Sequence, residues 1–310
     1  MATSAGIKTR FLLISDTHGL DRLPDSVLRQ HADVAIHCGD LTTESKLDEY
    51  KASIRLLQAV NDPLKLVIAG NHDFTLDIPV FQRKVAEAQP RLDHRLVEKT
   101  YGYNGEARGL FTDAIGITFL DEGTHPFRLR NGASLSVYAS PYTPSLGDWG
   151  FQYHPDQGHE FFIHDIDVAI THGPPKGIMD YTNSGQRAGC PYLFEAITRA
   201  RPRMHCFGHI HEAWGAKLVT WRHRISQNPS HLTDIDNEKS VIVDRLSNVR
   251  SSMEFATTSH CSGDPSRLEW GSQTLFVNAS IDGTQTLPIQ PPWLVDIELP
   301  PASRLSSEAS

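Results

Sequence analysis

The stretch Leu66-Val-Ile-Ala-Gly-Asn-His-Asp73 carries the pattern that predicts the fold. A short apolar run ends abruptly at a glycine and continues into residues that can bind metal ions or move protons. Because the apolar character is continuous rather than alternating, we predict a strand that is covered on both faces, as in layered α/β proteins. Four other segments of the chain show the same pattern.

These five strand candidates are each followed by residue types that bind metals. The candidates are the runs 11–15, 34–38, 66–69, 168–171 and 204–207. The residues that follow them are, in order, Asp16-Thr-His18, Gly39-Asp40, Gly70-Asn71-His72-Asp73, His172-Gly173 and Gly208-His209-Ile-His211. In open α/β sheets, binding sites form beyond the carboxyl ends of the strands. We therefore expect the five loops to converge on one pocket.

The residue types in these loops indicate the chemistry of that pocket. Two aspartates, one asparagine and four histidines can serve as ligands, with one histidine to spare. Mixed nitrogen and oxygen donors suit two divalent ions better than a thiolate-rich structural zinc site. Two ions about 3.5–4 Å apart, sharing a carboxylate and a water or hydroxide, can drive in-line displacement at phosphorus. Gly39 and Gly70 would let the backbone turn sharply at the strand ends.

The composition limits the class of protein and its partners. The chain has 310 residues, 39% apolar and 21% charged, so disordered, collagen-like and membrane-spanning classes are excluded. Its net charge of −8 and the lack of a basic, aromatic-interleaved tract argue against a long nucleic acid or an anionic membrane as partner. The first apolar run is too short for a signal peptide, and the four cysteines occur singly. We therefore expect a cytoplasmic protein.

In this order, the five motifs resemble the calcineurin-like metallophosphoesterase superfamily over residues 11–212. The sequence segments around the motifs are similar to those of the metallophosphoesterase-domain-containing group, whose members resemble class III cyclic nucleotide phosphodiesterases. Those segments are Ile68-Ala-Gly-Asn-His-Asp73, Thr171-His-Gly-Pro-Pro-Lys-Gly177 and Phe207-Gly-His-Ile-His-Glu-Ala213. The resemblance implies one α/β domain over 1–310, a four-layer α/β/β/α sandwich of two mixed sheets flanked by helices.

The resemblance also implies a role for each motif residue. The first metal would be held by Asp16, His18 and His211, the second by Asn71, His172 and His209, and Asp40 would bridge them. His72 would stay uncoordinated and donate a proton to the leaving group, with Asp73 orienting nearby groups. The two divalent ions could be Mn, Fe, Zn, Co or Ni, since all tolerate these ligands. A hydroxide between the ions would attack phosphorus in line.

Several functions are compatible with such a site. The resemblance favours a phosphodiesterase or phosphomonoesterase that acts on a small or nucleotide-like substrate. A protein Ser/Thr phosphatase fits less well, because Leu41-Thr-Thr-Glu-Ser45 lacks the arginine of that subfamily's Asp-Arg-Gly signature. Two alternatives stay open: a metal-stabilised binding or regulatory protein with little turnover, and a dinuclear hydrolase of a non-phosphate substrate in a specialised pathway.

The remaining segments give further structural expectations. Apolar spacing predicts helices over 47–57 and 191–200, the second with a proline near its start. Two apolar runs, at 115–120 and 133–139, predict a β-hairpin or meander. Aromatic residues just after it, Tyr142 and Trp149, are expected to form either a lip over the substrate or a structural cluster.

The C-terminal third is expected to be less regular. The polar segment 222–267 predicts a surface insertion, which in a regulatory protein would contact the partner. After it, the run 294–299 predicts an edge strand, and 301–310 predicts a loose tail.

Overall fold

Two mixed β-sheets that pack face to face form the centre of the protein. The computed structural model describes residues 6–283 and 287–302. Within them the strands are β1 (Ile7–Ile14), β2 (Val34–His37), β3 (Leu64–Val67), β4 (Ile117–Phe119), β5 (Gly123–Arg128), β6 (Ser134–Ser140), β7 (Thr143–Pro144), β8 (Gln152–Tyr153), β9 (Val168–Thr171), β10 (Met204–Phe207), β11 (Gly215–Thr220), β12 (Val241–Arg245), β13 (Ala256–Ser259), β14 (Gln273–Asn278) and β15 (Trp293–Leu299). The α-helices are α1 (Asp25–Leu28), α2 (Leu47–Ala59), α3 (Ile78–Glu87), α4 (His94–Tyr101), α5 (Glu106–Asp113) and α6 (Pro191–Ala200).

Both sheets combine parallel and antiparallel pairs. The first sheet has the order β13-β15-β1-β2-β3-β4, and only the β15–β1 pair is antiparallel. The second has the order β12-β11-β14-β10-β9-β6-β5, with parallel strands from β14 to β6. The predicted sandwich of two mixed sheets between helical layers is confirmed.

Three apolar layers explain why the strands read as continuous apolar runs. Alternate side chains of β1, such as Leu13, point between the sheets and are fully buried there. Their neighbours Leu12 and Ile14 point outward and pack with α2 and α5. On the outer face of the second sheet, Phe276 packs with Phe194 of α6. Each central strand is therefore covered on both faces, as predicted.

The two predicted helices form where the spacing places them. In α2 the side chains of Leu47, Tyr50 and Leu57 are all buried against the first sheet. α6 begins at Pro191, whose missing N–H does no harm at the first helical position. The thiol of Cys190 accepts a hydrogen bond from the Leu193 N–H at 3.1 Å and so caps this helix.

Two predictions about strand pairing are wrong. The run 115–120 does not form a hairpin with 133–139, because its strand β4 joins β3 of the first sheet. The chain then crosses to the second sheet, where β5 and β6 form the hairpin. Likewise β15 is not an edge strand: β13 pairs with it on the side away from β1. Local apolar pattern does not reveal which strand will lie alongside.

Segment 222–267, predicted to be a surface insertion, also contributes strands to both sheets. It supplies β12 to one edge of the second sheet and β13 to one edge of the first. The predicted loose tail lies outside the described residues from position 303 onward. Within the described ranges, no helix is long and apolar enough to cross a membrane. The four cysteines are buried free thiols.

The stacked pair Trp214 and Trp293 tests the packing between the sheets. Their ring centroids are 4.8 Å apart, both side chains are buried, and the Trp214 indole N–H donates to the Pro291 carbonyl at 2.9 Å. Trp214→Ala is expected to lower the free energy of unfolding by about 3–5 kcal/mol, because it leaves a cavity between the sheets. Urea denaturation measures this value.

Trp270 provides the matched control, since its side chain is 68% exposed and contacts Arg203 at the surface. Trp270→Ala is expected to cost about 1 kcal/mol or less. Equal losses in the two variants would contradict the packing described here.

Candidate metal centre

The loops after β1, β2, β3, β9 and β10 meet at one end of the sandwich. Within the first sheet, the N–H groups of Asp16 and His18 donate to the carbonyls of Gly39 and Asp40 at 2.9 and 3.1 Å. Between the sheets, the His209 N–H donates to the Asp16 carboxylate, with both oxygens at 3.1 Å. These hydrogen bonds fix the loops of the two sheets against each other.

The convergence brings the predicted ligands into two neighbouring groups. Asp16, His18 and His211 form one group, and Asp40, His172 and His209 form the other. Within each group the candidate ligand atoms lie within 4.8 Å of one another. The Asn71 side-chain oxygen joins the second group, 3.0 Å from Nε2 of His172. All seven residues expected to bind metal therefore lie at one site.

The imidazole rings are held so that Nε2 points into the site. Nδ1 of His18 donates to the Thr42 carbonyl at 3.0 Å, and Nδ1 of His172 donates to the Cys38 carbonyl at 3.0 Å. Nδ1 of His211 lies 3.1 Å from a carboxylate oxygen of Asp282. Hydrogen bonds of this kind fix the tautomer and orientation of metal-binding histidines. Nε2 of His172 and Nε2 of His211 consequently face the carboxylates of Asp40 and Asp16, each at 3.3 Å.

The backbone at the site is strained. Four candidate ligands, Asp16, His18, Asp40 and His209, have φ between 45° and 67°, a region that residues other than glycine rarely adopt. Such strain persists only where the surrounding structure holds it, and it is concentrated at functional sites. Gly70 is required for a different reason: a Cβ at this position would collide with the Asp40 carboxylate and the His172 ring.

The charges at the site compensate one another. Burial raises the pKa of Asp40, but the adjacent His172 outweighs this effect and lowers it to about 2. Burial lowers the pKa of His172, yet the carboxylate of Asp40 raises it to about 9. His211 shows the same balance against Asp16, which raises its pKa to about 11. The imidazolium ions of His172 and His211 thus supply the positive charge that balances the carboxylates. Bound cations would take over this function, and the histidines would then release their protons.

Asp73 lies beneath the ligand loops. It is buried and accepts hydrogen bonds from the N–H groups of Gly70, Leu41 and Thr42 at 2.8, 3.1 and 3.0 Å. The Thr42 hydroxyl donates to it as well, at 2.8 Å. Burial and the nearby Asp40 raise its pKa to about 7. Its contacts join the loop that carries Asp40 to the loop that carries Asn71.

His72 lies beside the two groups. Its Nδ1 donates to the Thr43 carbonyl at 2.7 Å, and its ring meets His18 edge-on with 4.9 Å between centroids. The Trp149 ring packs against His72 at 4.2 Å and also lies 6.0 Å from the Phe74 ring, so it contacts both the site and an aromatic cluster. Tyr142 instead stacks on His159 at 4.4 Å, which places it in a separate aromatic cluster.

Two further residues support the site: Asp282, which the sequence analysis missed, and His37, whose place in a predicted strand favours a core or supporting role. Asp282 contacts His211 as described above, but it lies far along the chain from every motif, a few residues after β14. His37 is buried within β2: its Nδ1 accepts from the Gly39 N–H at 3.2 Å and its Nε2 lies 2.9 Å from the Thr17 hydroxyl. Burial lowers the pKa of His37 to about 3, so the neutral ring joins the first two ligand loops.

The sandwich of two mixed sheets and the two candidate ligand groups at its end agree with the comparison with known proteins. The family model described as "Calcineurin-like phosphoesterase" matches residues 9–213. The chain belongs to the calcineurin-like phosphoesterase family. The resemblance stated from the motifs is thereby confirmed.

Individual relatives cover part of the chain. Metallophosphoesterase domain-containing protein 1 of Homo sapiens is 33% identical over 216 residues, covering 67% of this chain and 62% of that protein. A protein of Emericella nidulans named "Probable rhamnogalacturonate lyase C" is 32% identical over 215 residues, covering 68% of this chain and 18% of its own. The chain thus spans less than two thirds of either relative. The structure of purple acid phosphatase PPD1 from yellow lupin aligns with a TM-score of 0.41 and 10% identity, over 89% of this chain and 45% of that one.

Asp282→Asn tests the support given to His211. The amide keeps the shape but removes the charge, and loss of such outer partners typically weakens metal binding about 10–100-fold. We expect Mn²⁺ affinity to fall by this factor, measured by isothermal titration calorimetry. Asp264→Asn serves as the control. This carboxylate accepts hydrogen bonds from the Ser259 hydroxyl and the Cys261 N–H within segment 222–267, and among the described residues it contacts no candidate ligand. Unchanged Mn²⁺ affinity in Asp282→Asn would rule out the orienting role.

Proposed function

We propose that this protein hydrolyses phosphoesters of small, nucleotide-like substrates at a centre of two divalent metal ions. The observation that carries the proposal is the pair of adjacent ligand groups, each made of carboxylate and imidazole donors from different loops. The donor set fits transition-metal ions, which accept nitrogen and oxygen ligands together. The buried carboxylates of Asp16 and Asp40 and the strained ligand turns support the same conclusion, because both are costs that bound cations would offset.

Each motif residue has a place in this proposal. Asp16, His18 and His211 would hold one ion, and Asn71, His172 and His209 the other, with Asp40 shared between them. When bound, two such ions lower the pKa of a water molecule and neutralise charge on the phosphate oxygens. The protein contributes orientation: carbonyl oxygens and Asp282 hold three of the rings, and His209 fixes Asp16 through its backbone N–H.

His72 is proposed as the proton donor to the leaving group. Because Nδ1 donates to the Thr43 carbonyl, Nε2 is the atom that can carry and release a proton. The contacts with Trp149 and His18 hold the ring in place. Asp73 is proposed as a positioning residue, since all four of its hydrogen-bond donors belong to the ligand loops and their neighbours.

A diester of modest size is the proposed substrate class. The loop 41–45 supplies carbonyls and a hydroxyl to His18, His72 and Asp73, and it contains no arginine to clamp a phosphomonoester. The net charge of −8 disfavours long nucleic acid polymers. The cytoplasmic location expected from the cysteines stays a prediction.

Asp40→Asn tests the metal centre. We expect Mn²⁺-loaded wild-type protein to hydrolyse bis(p-nitrophenyl) phosphate faster than p-nitrophenyl phosphate, and Asp40→Asn to lower kcat by about 10²-fold or more, since a buried charge shared by both ion sites is lost. Release of p-nitrophenol measures both rates. The proposal is to be abandoned if loaded protein hydrolyses neither ester nor cyclic nucleotides, or if Asp40→Asn leaves the rate unchanged.

His72→Gln tests proton donation with a matched pair of esters. Phenolate is a more basic leaving group than p-nitrophenolate, so it depends more on a proton donor. We expect kcat for diphenyl phosphate to fall by about 10²–10⁴-fold and kcat for bis(p-nitrophenyl) phosphate by about tenfold or less. His164→Gln, at an exposed histidine, is the control. Equal losses for the two esters would exclude His72 as the donor.

A further inference from the structure

A cavity of about 400 Å³ lies beside the candidate metal centre. Its walls come from the loop 174–190 that follows His172, the short 3-10 helix His211–Ala213, and the strands β11 and β12. The loop 174–190 starts from the carboxyl end of β9, and the 3-10 helix begins at a candidate ligand. The cavity therefore opens at the same end of the sandwich as the metal centre.

The loop that forms one wall is well anchored. Asp180 is fully buried and accepts from the Gly177 N–H at 2.8 Å and from the Arg187 guanidinium at 2.5 Å. The Asn183 N–H donates to the Glu212 carboxylate, which ties the loop to the 3-10 helix. A bridge between Tyr181 and Arg187 closes the loop on itself. The wall is therefore built before any ligand arrives.

One basic side chain in the wall of the cavity has no partner among the described residues. Lys217 is half-buried in the wall, and no hydrogen bond or ion pair reaches its ammonium group from the described residues. Burial and the nearby Arg187 lower its pKa. Arg245, also in the wall, makes no ion pair within the described ranges. His231 adjoins the wall, and burial together with Arg187, Lys176 and Lys217 lowers its pKa.

The acidic groups near the cavity are already engaged. Asp180 is held by Arg187, and Glu212 accepts from the Asn183 N–H. Asp244 accepts from the Arg245 N–H at 2.8 Å and from the Asn248 side chain at 2.9 Å. Glu212 and Asp244 keep their negative charge, but no carboxylate in the described structure forms an ion pair with Lys217. A half-buried charge without a partner is costly, so an anionic ligand would stabilise it.

The rest of the lining is apolar. Ile178 is buried at the base, and Met179, Ile242 and Leu246 line the sides. The guanidinium of Arg187 stacks on the Tyr181 ring at 4.0 Å, which leaves the tyrosine 52% exposed at the rim. Apolar walls with a few placed polar groups are typical of small-molecule sites of this volume.

We propose that this cavity binds a small organic anion with an aromatic or aliphatic body. The carboxylate, phosphate or sulfonate group meets Lys217, with Arg245 close by, and the body packs on the apolar walls. The site goes beyond the proposed phosphoesterase function, because it uses none of the metal ligands. Its place next to the metal centre suits either the distal end of a substrate or a free anion bound on its own.

Binding of 8-anilinonaphthalene-1-sulfonate, followed by its fluorescence, tests the site on the full chain. N-phenyl-1-naphthylamine is the matched neutral probe, since it lacks the sulfonate. We expect Lys217→Met to weaken binding of the sulfonate by about tenfold or more, the loss of one charged contact, and to leave binding of the neutral probe within about twofold. Arg245→Met, at an exposed side chain, is expected to weaken the sulfonate about threefold.

Lys239→Met is the matched control, because Lys239 is a lysine of segment 222–267 that is 73% exposed and paired with Asp236. It should leave the affinity for both probes unchanged. Equal sulfonate affinity in wild type, Lys217→Met and Arg245→Met would overturn the proposal, as would parallel loss of both probes. Because binding is read without turnover, these outcomes are independent of the phosphoesterase proposal.

Two sources of the anion are told apart by kinetics. Competitive inhibition of bis(p-nitrophenyl) phosphate hydrolysis by the sulfonate means that the cavity and the metal centre share one ligand. Unchanged hydrolysis at a sulfonate concentration that saturates the cavity means that a free anion binds there alone.

Discussion

Two buried carboxylates, Asp16 and Asp40, impose the constraint on which the rest of the structure depends. Both lie at the end of the sandwich where the sheets meet, and both are almost completely shielded from solvent. Leaving such charges uncompensated would cost several kcal/mol each. Histidines from several separate loops surround them, and the turns that present these ligands adopt strained φ values to do so. Protonated His172 and His211 supply the compensating positive charge, a role that divalent ions would take over.

The same carboxylates connect the site to the fold. Asp16 lies just after β1, a central strand of the first sheet, and its carboxylate accepts a hydrogen bond from the N–H of His209, just after β10 of the second sheet. In the opposite direction, Nδ1 of His172, just after β9 of the second sheet, donates to the carbonyl of Cys38, just after β2. Packing between the sheets, with the Trp214 and Trp293 stack among its largest contacts, sets the distance over which these hydrogen bonds form. The supporting residues Asp73, His37 and Asp282 then fix individual loops. A precise site thus follows from two rigid sheets rather than from flexible loops.

Much of the fold and site could be predicted because their signals are local. An apolar run followed by Gly-Asp or Gly-Asn-His can be recognised as a strand from the sequence, and the order of the five motifs indicates the family. The strands that pair with each other could not be predicted in this way. β4 and β15 have ordinary strand patterns, and only the tertiary structure shows that β4 pairs with β3 and that β13 pairs with β15. Asp282 was missed for the same reason, since its role exists only once the chain returns to His211. Likewise, no sequence pattern shows that Lys217 lacks a partner.

The claim that two ions bind at Asp16, Asp40 and their surrounding histidines is tested most directly by counting metal. Apoprotein that is dialysed against Mn²⁺ and then analysed by inductively coupled plasma mass spectrometry should contain about two Mn²⁺ ions per chain, as dinuclear hydrolases do. In the same experiment Asp40→Asn should retain fewer. Wild-type protein that binds no Mn²⁺, or binds a single ion that Asp40→Asn retains equally well, would contradict the account.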